Sequence, residues 1–167
     1  MLDPILIDTA KFTQEGLSHS GETTLAQLDA RVFTHELLAD TGDTVHYRIR
    51  GGTDRWQRPF LDIALSGVLQ LVCQRCLKPV PFVLEDHAHV VLFADEARLD
   101  EAMAADETLE GMLYSAEIDL RTLLEDQLLM AIPFAPRHED CNNATLARVN
   151  QDQPNPFAKL AGLKSDR

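Results

Sequence analysis

Two long segments with an alternating hydrophobic pattern constrain the fold of this chain more than any other feature. Residues 59–72 (PFLDIALSGVLQLV) place an aliphatic residue at nearly every second position, and residues 80–94 (VPFVLEDHAHVVLFA) form a second segment of similar length. Successive side chains of a β-strand point to opposite faces, so each segment predicts a long strand with one buried face. Because only residues 73–79 separate the two strands, they are predicted to pair as an antiparallel hairpin. Gly67, inside the first strand, predicts a bulge or a close backbone approach.

The remaining segments predict further strands and two helices. Residues 44–51 (TVHYRIRG) alternate apolar and polar side chains, which predicts a half-buried strand with Arg48 and Arg50 on its wet face. Residues 112–118 predict another strand. Upstream, Thr23 or Thr24 is a candidate cap for one helix that carries the apolar residues of 25–38.

A second helix is predicted between Asp119 and Pro133. Asp119 is a suitable cap, leucines recur along one side, and Pro133 ends the pattern because it cannot continue a helix. Arg121, Glu125 and Asp126 are expected to face water on the opposite side.

Together these elements predict the α+β class, with an antiparallel β-sheet and helices packed against it. Residues 1–136 are predicted to form a single domain, in which the acidic segment 95–110 is a solvated loop or a loose helix. Residues 137–167 are predicted to be a polar tail that ends in a short helix within NPFAKLAGLK. The apolar residues of that helix are candidates for docking, either on the chain's own domain or on a partner. They are Phe157, Leu160 and Leu163.

The charge of the chain restricts its partners. The formal net charge is −12, and residues 81–136 hold thirteen acidic side chains against two basic ones. Such a chain repels phosphates, so it is a poor sequence-independent binder of nucleic acid and suits basic partners better. The alternative is that the acidity only keeps the protein soluble.

One basic stretch interrupts this acidic chain, and several of its members are expected to lie together near the turn at residues 73–79. Trp56 and Tyr47 lie close by in the sequence, and aromatic rings beside arginines stack on unpaired bases. The stretch is therefore a candidate RNA-binding surface, and its alternative is an ordinary solvated strand face. Its members are Arg48, Arg50, Arg55, Arg58, Arg75 and Lys78.

The cysteines form the clearest candidate for a metal or redox site in the sequence. Cys73 and Cys76 are separated by two residues, as are His138 and Cys141, so the four side chains make a full tetrahedral zinc set. Three interpretations stay open: a structural zinc site, a redox pair of Cys73 and Cys76, and reduced structural cysteines at a hairpin turn. His87 and His89 are predicted to face the same side of a strand. They are interpreted either as a surface pair or as metal ligands.

Several function classes find no support in the sequence. No P-loop, dinucleotide-binding glycine pattern, nucleophile elbow or HExxH motif occurs, and no apolar run reaches membrane-spanning length. The first residues do not show the pattern of a secretory signal. These observations favour a binding protein over an enzyme.

Three segments together resemble the YceD family of large ribosomal RNA subunit accumulation proteins. They are CQRCLKPV (73–80), IDLRTLLEDQLLMAIPFAPRHEDC (118–141) and NPFAKLAGLK (155–164), in the family's order and spacing. The resemblance implies a cytoplasmic bacterial protein that acts in synthesis, processing or stability of large-subunit ribosomal RNA, with no known catalysis. Some relatives carry extra cysteines after the PxH segment, which implies a metal site there.

The resemblance also implies the partners. They are a precursor of the large-subunit ribosomal RNA, or basic ribosomal and assembly proteins, without involvement of a membrane. The alternative function is a zinc- or thiol-dependent enzyme or a redox sensor that uses Cys73 and Cys76.

Overall fold

A five-stranded sheet forms the centre of the computed structural model, which describes residues 4–139 and residue 141. In spatial order its strands are β2 (Ser18–Thr24), β3 (Thr44–Thr53), β4 (Pro59–Val72), β5 (Pro79–Phe93) and β6 (Glu110–Leu113). Neighbouring strands are antiparallel except for β5 and β6, which run parallel. A separate two-stranded sheet pairs β1 (Leu6–Asp8) with β7 (Glu117–Asp119). The α+β class predicted from the sequence is confirmed.

The β4–β5 hairpin is the longest pairing in the fold and confirms the prediction from the alternating pattern. It runs from Phe60 opposite Val91 to Val72 opposite Pro79. Gly67 marks a close backbone approach, because an added Cβ there would lie 2.7 Å from the carbonyl oxygen of Thr44.

One face of the five-stranded sheet, the inner face, is buried under helices. Helix α1 (Thr9–Gln14) packs against β3, where the space next to Gly51 is filled by Phe12. Helix α4 (Leu120–Ala131) packs against β4 and β5. Asp119 caps α4 by accepting a hydrogen bond from the Arg121 backbone N–H at 3.0 Å, and the helix ends before Pro133, as predicted. Leu61, Ile63, Leu69, Leu71, Leu84, Leu120 and Leu128 form the centre of this core.

Two details of α4 differ from the prediction. Arg121 and Glu125 are buried instead of facing water, whereas Asp126 is about half exposed. Helical spacing alone placed both residues opposite the leucine stripe. The side that they occupy is covered by the chain around Asp29, which donates its backbone N–H to Glu125 at 2.9 Å.

The apolar segment 25–38 is not the single helix that its spacing predicts. It forms a 3₁₀ turn (Leu25–Gln27) and a short helix α2 (Ala30–Phe33), which Asp29 caps. After α2 the chain turns back to β4, where Ala39 donates its N–H to Gln70 O and Leu37 accepts from Val72 N. Leu25, Leu28 and Leu37 are buried all the same, and Leu38 is partly buried, so tertiary contacts decide the local structure here.

The acidic segment forms helix α3 (Glu96–Ala105), which has no buried residue and contacts β5 and β6. Residues 112–118, predicted as one strand, are divided between β6 and β7. In the part of the chain that the structure describes, every helix is too short or too polar to cross a membrane. The predicted terminal helix, with Phe157, Leu160 and Leu163, lies outside the described residues.

The opposite face of the sheet, the outer face, carries polar side chains. His46, Arg48, Ser66 and His87 are exposed on it, in register across β3, β4 and β5. Helix α3 lies beside the end of this face near Trp56. The fold thus leaves the arginines of β3 accessible to a partner.

Candidate functional site

The turn between β4 and β5 holds the first two cysteines on one side of a tight loop. Cys73 donates its N–H to Lys78 O at 2.9 Å and accepts from the Leu77 N–H at 2.8 Å through its own carbonyl. Leu77 has a φ of 60°, in the left-handed region that non-glycine residues rarely adopt. This strained position lets the loop close immediately after Cys76.

The segment after α4 brings the other two residues to the same place. Pro136 accepts a hydrogen bond from the Gln74 N–H at 2.8 Å, so the chain runs along the turn. The Sγ atoms of Cys73 and Cys141 lie 3.7 Å apart, and Cys76 Sγ lies 3.6 Å from His138 Nδ1. All four donor atoms lie within 4.8 Å of one another. The structure therefore brings together the complete set of four residues that the sequence pattern singles out.

The thiols of this cluster differ in acidity. Burial opposes ionisation of Cys73, but backbone N–H groups of Cys76, Arg75 and His138, with the His138 side chain, lower its pKa to about 5. Burial raises the pKa of Cys141 to about 11, and the neighbouring sulfurs of Cys76 and Cys73 add to this rise. Hydrogen bonding therefore favours the thiolate form of Cys73, whereas burial favours the neutral thiol of Cys141.

The imidazole of His138 is oriented by a second hydrogen bond. Its Nε2 lies 3.0 Å from Pro79 O, and a carbonyl oxygen only accepts, so Nε2 carries the proton. The lone pair of Nδ1 then faces Cys76. Three sulfur atoms and one imidazole nitrogen form a donor set suited to a soft cation.

The structure divides the six basic candidates into two groups at opposite ends of β4. Arg55 and Arg58 lie in the β3–β4 turn, and Arg48 and Arg50 lie nearby on β3. The other two, Arg75 and Lys78, lie in the cysteine turn. Of the six residues, several of which were expected near the cysteine turn, only Arg75 and Lys78 lie there, because the antiparallel register of β3 and β4 directs the β3–β4 turn to the opposite end.

The β3–β4 turn presents an exposed aromatic ring between two guanidinium groups. Trp56 is 60% exposed, and the guanidinium carbons of Arg55 and Arg58 lie 3.8 and 4.6 Å from its ring centroid. The Asp54 carboxylate holds the turn by accepting hydrogen bonds at 2.8 Å from the backbone N–H groups of Trp56 and Arg58 and from the Arg58 side chain. Burial favours the neutral acid, but these bonds hold the pKa of Asp54 below its usual range.

Asp62 neutralises part of the outer face. Its carboxylate accepts from Arg50 at 2.8 Å and lies 2.6 Å from His89 Nδ1. Burial opposes ionisation of Asp62, but the hydrogen bonds from His89 and Arg50 lower its pKa. Arg48, by contrast, is exposed and makes no ion pair with any other described residue. Sequence reasoning missed Asp54 and Asp62, although the strand register places Asp62 directly opposite Arg50.

The predicted histidine pair lies on one side of β5, as expected. His87 and His89 are both exposed on the outer face, and His89 contacts Asp62. Neither belongs to a group of three or more metal-ligating side chains among the described residues, where the cysteine cluster is the one such group. The surface-pair interpretation fits this arrangement better than the metal-ligand interpretation.

Comparisons with known proteins agree with the three segments singled out in the sequence. The family model described as large ribosomal RNA subunit accumulation protein YceD matches residues 61–164, more than half of the chain. The large ribosomal RNA subunit accumulation protein YceD of Haemophilus influenzae is 28% identical over 177 aligned residues, which cover 96% of this chain and 95% of that protein. No solved structure matches the chain. The chain, with its cysteine turn and its C-terminal half inside the matched region, belongs to the YceD family.

Proposed function

We propose that this chain promotes the accumulation of large-subunit ribosomal RNA in the cytoplasm by binding a precursor of the large subunit, without catalysis. Membership of the family and the name of the Haemophilus influenzae relative support the link to large-subunit RNA. The burial of Cys73 and Cys141 supports binding over thiol catalysis. The pKa of the Cys73 thiol is lowered, but its side chain is fully buried and out of reach of a substrate.

The observation that carries the RNA-binding part of the proposal is the exposed Trp56 with its two arginines. Unpaired bases stack on aromatic rings and on guanidinium planes, and each stacked base contributes about 1–3 kcal/mol. Asp54 holds Arg58 beside the ring by a hydrogen bond to its side chain. The guanidinium group of Arg55 contacts the Trp56 ring and makes no ion pair with a described residue. Arg55 is thus free to move from the ring to a phosphate when a base takes its place.

The acidity of the chain limits this contact to a small area. The net charge of −12 repels a long RNA, so binding depends on local stacking more than on a broad electrostatic field. If Arg48 and Arg55 each contact one phosphate of a single strand, the slope of log K against log salt is about −1.4. A slope near zero would show that neither arginine contacts RNA.

The acidic side of the molecule supports a second contact with the same particle. Helix α3 and its flanks expose seven carboxylates, which suit a basic ribosomal or assembly protein. They are Asp95, Glu96, Asp100, Glu101, Asp106, Glu107 and Glu110. Binding of a basic protein to these carboxylates is expected to persist when Arg48 and Arg55 are replaced.

Co-sedimentation of the full chain with large-subunit precursor particles tests the proposal. The double variant Arg48→Glu with Arg55→Glu is expected to weaken association at least about tenfold, because it removes two phosphate contacts and introduces repulsion. The matched control is Lys11→Glu with Arg137→Glu, which changes the net charge equally at two exposed positions outside the Trp56 turn and outside helix α3. Equal binding by both double variants would refute the RNA contact at this surface. Normal large-subunit RNA levels after deletion of the gene would refute the function as a whole.

A further inference from the structure

The cluster of three cysteines and one histidine at the β4–β5 turn has the dimensions of a metal site. We infer that Cys73, Cys76, His138 and Cys141 bind one Zn²⁺ ion in tetrahedral geometry. We further infer that the ion anchors the segment after α4 to this turn. The inference is independent of the function proposed above.

Two of the six donor–donor distances within the cluster match those around a tetrahedral zinc ion, and the other four are at most 4.8 Å. Zn–S bonds of about 2.3 Å and Zn–N bonds of about 2.0–2.1 Å place two sulfurs about 3.8 Å apart, and a sulfur and a nitrogen about 3.6 Å apart. The Cys73 and Cys141 sulfurs are 3.7 Å apart, and Cys76 Sγ is 3.6 Å from His138 Nδ1. A disulfide requires a bond of about 2.05 Å, and all three cysteines are free.

The turn also holds its two cysteines close together. Cys73 donates its N–H to Lys78 O at 2.9 Å, and its carbonyl accepts from the Leu77 N–H at 2.8 Å. The left-handed conformation of Leu77 closes the loop directly after the second ligand. Two residues between cysteines in a tight turn let both thiolates bind one ion.

His138 has the second contact that a metal-ligating imidazole needs. Donation from Nε2 to Pro79 O at 3.0 Å fixes both the ring orientation and the tautomer. Metal-bound histidines almost always donate their other ring N–H in this way. The unprotonated Nδ1 therefore faces the three sulfurs.

The donor set indicates the kind of metal and its role. Three thiolates and one imidazole select zinc over the oxygen-seeking Mg²⁺ and Ca²⁺. Protein atoms would fill all four positions, which is typical of a structural site and not of a catalytic one. Binding converts each neutral thiol to a thiolate and releases its proton to the solvent.

The ion would join parts of the chain that are distant in sequence. His138 lies 62 residues after Cys76, and Cys141 lies 68 residues after Cys73. Apart from the metal, this segment is held to the turn by the hydrogen bonds from Gln74 N to Pro136 O and from His138 to Pro79 O. Zinc would therefore fix the position of the segment after α4 at this turn.

Metal analysis of the untagged full chain, purified under reducing conditions without chelator, tests the inference. About one zinc ion per chain is expected for the wild type, and less than about a fifth of that for Cys141→Ser and for His138→Gln. His87→Gln, an exposed histidine outside the cluster, is the control and is expected to retain the full zinc content.

Measurements on the wild type keep the inference testable if the cluster variants do not fold. Replacement of zinc by Co²⁺ is expected to give the visible d–d bands of a tetrahedral site and a thiolate-to-cobalt charge-transfer band. Zinc is also expected to protect all three cysteines from alkylation until a chelator removes it. A wild-type chain that contains no zinc, gains no protection from added zinc, or contains iron instead would overturn the inference.

Discussion

Glu125 accepts a hydrogen bond from the Nε of Arg121 at 2.9 Å, and both side chains are buried. The same carboxylate accepts from the Asp29 N–H at 2.9 Å and forms an ion pair with Arg31 at 3.2 Å. Glu125 thus connects α4 to the start of α2, and these two helices lie about a hundred residues apart in the chain. The Glu125 carboxylate therefore links two segments that are far apart in the sequence.

Removal of the Glu125 carboxylate is expected to destabilise the fold strongly. Glu125→Ala removes a hydrogen-bonded counter-charge from the buried Arg121, and breaking one side of a buried ion pair costs about 3–5 kcal/mol. Urea unfolding followed by circular dichroism measures this loss. The control is Asp126→Asn, which removes the neighbouring contact with Arg31 at an exposed position and is expected to cost less than about 1 kcal/mol. Similar losses for the two variants would contradict the central role of Glu125.

The stabilising effect of Asp54 is expected to depend on pH. Its folded pKa lies below the ordinary value of 3.8, so folding favours the carboxylate. The resulting stability is present above that ordinary value and disappears as the pH falls through the lower folded pKa. The difference in unfolding free energy between the wild type and Asp54→Asn should therefore be largest at neutral pH and shrink in acid. A difference that is constant from neutral to strongly acidic pH would show that the charge of Asp54 contributes nothing.

Gly51→Ala is expected to loosen the contact between α1 and β3. A Cβ at position 51 would lie 2.5 Å from the Phe12 carbonyl oxygen and 2.7 Å from its ring, so helix and strand have to separate. We expect a loss of about 1–3 kcal/mol in thermal or urea unfolding. Gly42→Ala is the control, since the nearest atom to its added Cβ is 3.2 Å away in the flexible Asp40 side chain. Equal stability of the two variants would contradict the packing described for α1.

Removal of the inferred zinc ion is expected to loosen one end of the hairpin only. Hydrogen exchange of the backbone N–H groups at 73–78 should accelerate when a chelator is added, because the turn loses its link to the segment after α4. Residues 54–58, at the opposite end of β4, serve as the internal control and should exchange at an unchanged rate. Equal acceleration at both ends would indicate general unfolding, and no acceleration at 73–78 would contradict the anchoring role.

Trp56 is expected to report RNA binding directly, because it is the single tryptophan of the chain. A base stacked on its ring should quench its fluorescence when an unpaired RNA oligonucleotide is added. Trp56→Ala is expected to weaken binding by about 1–3 kcal/mol, and Trp56→Phe by less, since phenylalanine keeps a stacking surface. Fully paired RNA of the same sequence is the control and should leave the fluorescence unchanged. Quenching that is equal with paired and unpaired RNA would contradict stacking.

The hairpin and the α4 boundaries were predictable because their signals are local. Alternation over 59–72 depends on strand geometry alone, and Asp119 and Pro133 act on the helix ends next to them. The sequence allowed us to predict that Cys73, Cys76, His138 and Cys141 could bind one metal ion, but not that the fold brings them together. Their residue types suit one ion, whereas their meeting depends on where α4 directs the following segment.

The predictions that proved wrong concern contacts between distant segments. Helical spacing places Arg121 and Glu125 side by side, but it does not show that the chain near Asp29 covers them. In the same way, strand pairing was expected to bring several basic residues together near the cysteine turn, yet the antiparallel register places the β3 arginines nearer the other end of β4. Long-range packing, and not local propensity, decides both outcomes.

The length of β4 has a consequence for any partner. Fourteen residues separate the Trp56 turn from the cysteine turn, and at about 3.3 Å per residue the strand is roughly 45 Å long. A small RNA loop or a short peptide can occupy one end of the sheet but not reach the other. Only a ligand at least as long as the strand, such as a precursor particle, can touch both ends at once.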